Sequence, residues 1–75
     1  MTEYTINFLW DNDAFVWVAT SDDVPGLVLE SGSLDALMER VRFVIPELLE
    51  LNGDHQHDIS LTYTTQRHER ISRHG

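Results

Sequence analysis

Residues 15–42, FVWVATSDDVPGLVLESGSLDALMERVR, constrain the fold more than any other part of the chain. The run over residues 15–21 alternates and is rich in β-branched and aromatic side chains, which is the pattern of a strand. Phe15, Trp17 and Ala19 fall on one face of it, Val16 and Val18 on the other. Asp22-Asp23-Val24-Pro25-Gly26 ends the run. Pro25 presets φ to about −65° and Gly26 accepts positive φ, so the pair predicts a type II turn. Leu27-Val28-Leu29 then returns as a short strand, broken by Ser31-Gly32-Ser33. Ser33 is placed to cap a helix, with Asp35 favourable to the dipole in its first turn.

The helix carries Leu34, Leu37, Met38, Val41, Ile45, Leu48 and Leu49 at the spacing of one buried stripe. Glu39, Arg40, Glu47 and Glu50 are left for solvent. Pro46 lies inside this pattern, where it removes one backbone hydrogen bond and tends to bend or break a helix. The stripe keeps its phase across Pro46, which predicts one kinked helix to about residue 51. Asn52-Gly53 supplies its stop.

The flanks complete a sheet. Residues 4–10, YTINFLW, alternate as a half-buried strand, and Asp11-Asn12-Asp13-Ala14 joins it to the next strand as an antiparallel hairpin. Residues 54–58 are a polar connection, and residues 59–64, ISLTYT, alternate again. The order is strand, strand, strand, helix, strand. With the first three strands as a meander, a right-handed crossover inserts the last strand beside and parallel to the first. The expected fold is therefore α+β, a mainly antiparallel sheet of order 3-2-1-4 with one helix on one face, resembling a reduced ribonuclease-H-like sheet. Residues 1–65 form the domain, and residues 66–75, QRHERISRHG, are expected to be a polar, flexible C-terminal tail.

Size and charge narrow the function. A 75-residue chain without cysteine has neither disulfides nor thiolate metal sites to stabilise it. Its second strand is apolar on both sides while one helix covers one face, so a second subunit is the expected cover for the other. The net charge is −8. Twelve acidic groups lie in residues 1–58 against Arg40 and Arg42, whereas residues 59–75 carry Arg67, Arg70 and Arg73 against Glu69 alone. Such a body repels nucleic-acid phosphates and attracts a basic partner. No segment approaches the roughly 18–20 apolar residues of a membrane span, and the N-terminus lacks a signal-peptide pattern, so a cytoplasmic protein is expected.

No catalytic constellation emerges. Ser21, Ser31, Ser33, Ser60 and Ser72 have no nucleophile-elbow context, and the four glycines are scattered and form no phosphate loop. The first strand offers Asn7 but no acid before Asp11, which does not support two-metal nuclease chemistry. His55 and His57 alternate on one side of the connector and could meet Asp58 or His68 around a metal. Histidines in a polar connector are more often solvated, so no metal and no cofactor is expected.

Residues 9–52 resemble the HicB-related antitoxin superfamily, in particular its short members described as a domain of unknown function. The matching text is W-D-N-D-A-F-V-W-V-A-T-S-D-D-V-P-G-L-V-L-E-S-G-S-L-D-A-L-M-E-R-V: an acidic hairpin turn, an alternating strand, a D-x-P-G corner and a capped helix start. The resemblance implies the same strand order. It also implies a non-catalytic antitoxin that masks a small basic messenger-RNA-cleaving toxin. Full-length relatives append a helix-turn-helix or ribbon-helix-helix for operator DNA. The ten residues 66–75 are too short for either, so DNA binding by this chain is not expected. Trp17, Asp22, Asp23 and Glu30, on or beside the corner, are the expected partner contacts. The competing expectation is a self-associating structural or regulatory domain without a toxin.

Overall fold

A computed structural model describes residues 2–74. Four strands and one helix follow in the order β1 (Thr2–Asp11), β2 (Val16–Thr20), β3 (Val28–Ser31), α1 (Leu34–Leu51) and β4 (Ile59–Gln66). The sheet order is β3-β2-β1-β4, with β1 and β4 parallel and the other pairs antiparallel. This is the expected β-β-β-α-β arrangement.

The corner and the caps form as their residues dictate. Leu27 N donates to Val24 O across 3.2 Å, and Gly26 holds φ +88°, the positive value a type II turn requires at that position. Ser33 has extended backbone, and its hydroxyl accepts from Ala36 N at 3.2 Å, an N-cap bond to the third helical residue. At the other end Gly53 has φ +81°. Gly53 N donates to Glu50 O and Asp54 N to Leu49 O, the paired bonds of a Schellman stop. The helix runs unbroken through Pro46, which faces solvent. Only the bond to the Arg42 carbonyl is forgone there, and burial on both sides of it holds the helix together.

Leu37, Val41, Ile45 and Leu49 are the buried residues of α1, four positions apart in succession. They pack on Tyr4, Ile6 and Phe8 of β1, Ala19 of β2, and Val24 and Leu27 of the corner. Ile59, Leu61 and Tyr63 of β4 close the side of this core, and Tyr63 meets Phe8 edge-on with centroids 5.1 Å apart. Each fully buried aliphatic here contributes about 1.5–3 kcal/mol relative to exposure.

Strand bounds differ from the sequence expectation: β1 covers Thr2–Asp11 and not residues 4–10 alone, and β3 covers Val28–Ser31, leaving Leu27 buried in the corner before it. Strand β2 begins at Val16, not at Phe15. Phe15 instead closes the hairpin turn with φ +55°, its N–H on the Asp11 carbonyl at 2.9 Å, and it is 72% exposed. Asp11 Oδ1 also accepts from Asp13 N and Ala14 N, so this carboxylate ties the turn from within. The four-residue connection spends its last position in the left-handed region, and that position falls on Phe15. Strand β4 also runs further than residue 64, to Gln66, because β1 extends to Asp11 and keeps offering a ladder partner.

Candidate functional site

The pleat divides the sheet into two unlike faces. Tyr4, Ile6, Phe8, Trp10, Trp17, Ala19, Leu29 and Tyr63 share the helix side by strand alternation and register. Leu9, Val16, Val18, Val28 and Glu30 share the other side, which no element of the described residues covers. Leu9 stands opposite Val18, Val18 opposite Glu30, and Thr20 opposite Val28. The apolar members form a stripe across β1, β2 and β3, with Leu9 45% and Val28 72% exposed.

The β1–β4 half of this open face is polar and self-paired. Thr62 donates to Glu3 Oε1 at 2.7 Å, and Thr64 donates to Asn7 Oδ1 at 2.7 Å. These cross-strand pairs have satisfied one another. The apolar half has nothing to satisfy it, which is why the stripe is the binding candidate of the open face.

A second cluster sits at the hairpin end of the helix side. The rings of Trp10 and Trp17 meet edge-on, centroids 5.5 Å apart, and both are half-buried. The Arg67 guanidinium lies 4.1 Å from the Trp10 centroid and 6.0 Å from that of Trp17. Glu69 Oε1 pairs with Arg67 Nε at 3.0 Å. Asn12 joins the hairpin to the same segment, accepting from Trp10 Nε1 at 2.9 Å and donating to the His68 carbonyl at 3.4 Å. Residues 67 and 68 are thus attached to the hairpin. This attachment is invisible in local sequence because 57 positions separate Arg67 from Trp10.

The four residues expected as partner contacts do not form one patch. Glu30 lies on the open face beside Val18 and is exposed. Trp17 points to the helix side, against Trp10. Asp22 and Asp23 are exposed at the far end of β2 from Trp17. The Asp23 carboxylate accepts from Thr5 N at 2.7 Å. Arg40 Nη1 donates to the Glu30 backbone carbonyl at 3.0 Å.

His55 Nδ1 lies 3.1 Å from Glu50 Oε2, both well exposed, at the helix end of the molecule. His68 stands at the opposite, hairpin end, so the two do not meet. Among the described residues no three histidines or acids converge as metal ligands, and no enclosed pocket forms. None of the helices of the described residues is long and apolar enough to cross a membrane.

The phenol of Tyr4 has a displaced pKa. Its hydroxyl donates to Asp54 Oδ2, and that bond, followed by burial and the charge of the carboxylate, raises the phenol above its ordinary value. Together with the bond from Asn52 Nδ2 to the Pro25 carbonyl at 3.0 Å, it fastens the helix end to β1 and the corner. This role is structural.

Fold and surface together define a class: a β-β-β-α-β α+β domain with one sheet face under its helix and the other open. Within that class the chain belongs to the DUF1902 family, a domain of unknown function, whose profile matches residues 3–73. A crystal structure of the hypothetical protein TTHA1013 from the extremely thermophilic bacterium Thermus thermophilus is similar at 38% identity and a TM-score of 0.79, covering 92% of this chain and 99% of that one. Among curated proteins none matches.

Proposed function

We propose that this chain is a non-catalytic protein-binding module of the HicB antitoxin kind, masking a small basic RNA-cleaving protein in the cytoplasm. The observation that carries the reading is the open sheet face. An uncovered stripe of Leu9, Val18 and Val28 runs beside Glu30 on a body whose first 58 residues hold twelve acids against two arginines. An apolar stripe supplies desolvation, and the acidic surround steers and orients a cationic partner. Occlusion is how such a surface acts, since it needs only to cover the partner's RNA-binding groove.

The likeness of residues 9–52 to HicB-type antitoxins supports the same assignment. Glu30 serves as a direct contact, and Asp22 serves at the margin of the face. Asp23 contributes charge while its carboxylate remains tied to Thr5, and Trp17 acts from the hairpin end through Trp10 and Arg67. The test is RNA cleavage by the basic protein that this chain retains. Cleavage is expected to fall as chain is added, reaching its floor at equal stoichiometry. Undiminished cleavage at a tenfold excess of chain contradicts the reading.

The same stripe favours a second reading, self-association through the open face without a toxin. A second copy would remove Leu9, Val18 and Val28 from water together, which a domain this small does not do with its own elements.

A further inference from the structure

Residues 67–74 form no strand or helix and are exposed throughout, with Ile71 82% exposed. Their composition is the inverse of the body's: Arg67, Arg70 and Arg73 against Glu69. Arg67 and His68 fix the root of the segment to Trp10 and Asn12 on the helix side of the hairpin end. The molecule is drawn out to 58 × 20 × 18 Å, so the segment leaves the body and does not fold back on it.

The segment matches the open face chemically. Arg70-Ile71-Ser72-Arg73 sets one aliphatic side chain between two cations, and the face sets an aliphatic stripe beside Glu30, with Asp22 exposed two residues beyond the end of β2, whose Thr20 lies opposite Val28. Extended, residues 67–74 reach about 26 Å, more than the roughly 14 Å from β4 across to β3. Their own open face lies on the opposite side of the sheet from the pinned root. A second copy can present the same segment to this face directly, without a turn around the sheet edge.

We propose that residues 67–74 are an exchange arm that lies across the open face of a second copy, Ile71 on the Val18–Val28 stripe and Arg70 and Arg73 against Glu30 and Asp22. The exchange is reciprocal about a two-fold axis, so each copy gives one arm and receives one. This inference rests on the self-association reading and names the segment that performs it. It is independent of any basic partner, although such a partner would compete for the same face.

The test is sedimentation velocity at low ionic strength on three full-length chains. The wild-type chain is expected to dimerise, and the dimer to weaken with salt. Arg70→Glu with Arg73→Glu reverses the arm. Asp22→Arg with Glu30→Arg reverses the face. All four positions are exposed, and circular dichroism verifies that each variant is folded. Each variant alone is expected to dimerise at least tenfold more weakly than wild type. An equimolar mixture of the two is expected to recover wild-type affinity, because both exchanged contacts in the mixed dimer are then complementary. An arm variant that dimerises as wild type overturns the arm while leaving self-association intact, and so does a mixture that recovers nothing. A wild-type chain that stays monomeric overturns both.

Discussion

The Asp23 carboxylate accepts the backbone N–H of Thr5 at 2.7 Å, and the neighbouring Ser21 hydroxyl donates to the Thr5 carbonyl at 2.6 Å. The last paired residues of β1 and β2 are Asn7 and Thr20, so two side chains continue the ladder after β2 has turned away. Ser21 is itself held by a bond from Asp23 N at 3.0 Å. Asp23→Ala is expected to lower stability by about 1 kcal/mol in urea denaturation, the usual worth of one such bond. Asp22→Ala, one position away and exposed, is expected to change it by less than about 0.5 kcal/mol. Equal effects would mean that charge and not the Thr5 bond sets the stability.

Arg67 over Trp10 gives a second check. Both tryptophans of the chain sit in this cluster, so all tryptophan emission reports on it. Arg67→Ala removes the stacked cation and uncovers the Trp10 face, and a red-shifted emission is expected. The accompanying stability loss is about 0.5–1 kcal/mol, as for a cation–π pair that is partly solvated. An unchanged spectrum would show that Arg67 is not held at the rings.

Tyr4 makes the stability of the fold pH-dependent on the alkaline side. Its folded phenol keeps the proton more tightly than the unfolded one, because the proton is donated to Asp54. The stabilisation is complete below the unfolded value, about pH 10, and is lost as pH rises through the higher folded value. Urea midpoints measured from pH 8 to pH 11.5 should fall in the upper part of that range for wild type. The Tyr4→Phe chain should lack that step and start from a lower midpoint.

Phe15 occupies the left-handed region with its ring 72% exposed. That backbone costs a bulky residue about 1–2 kcal/mol, and glycine avoids it at an entropic cost of about 0.5–1 kcal/mol. Phe15→Gly is thus expected to raise stability slightly, by about 0.5 kcal/mol, seen as a higher thermal midpoint. A lower midpoint would identify a packing contact of the exposed ring.

These features mark the boundary of what the sequence carries. The Pro25-Gly26 corner, the Ser33 cap, the Asn52-Gly53 stop and the strand order all follow from local rules, because each depends on residues a few positions apart. The continuity of α1 through Pro46 follows from the phase of its apolar stripe. Phe15 does not, because a four-residue turn fixes its left-handed position by geometry while the apolar alternation invites it into the strand. The sites of Asp23 and Arg67 depend on partners 18 and 57 positions distant, Thr5 and Trp10, and no local pattern announces them. The separation of Trp17 from Glu30 depends on register. Only the pairing of Val18 with Glu30 puts that acid on the face away from Trp17.

The open face is where the functional account stands or falls, and Val18 is its centre, between Leu9 and Glu30. The direct measurement is affinity capture from the native host with three chains in parallel: wild type, Val18→Asp on the open face, and Glu47→Lys on the outer helix surface. Retained proteins are identified by mass spectrometry and assayed for RNA cleavage. Wild type and Glu47→Lys are expected to retain the same small basic RNA-cleaving protein, and Val18→Asp, folded by circular dichroism, is expected not to. Retention of that protein by Val18→Asp at the wild-type level, or its absence from the wild-type capture, contradicts the account.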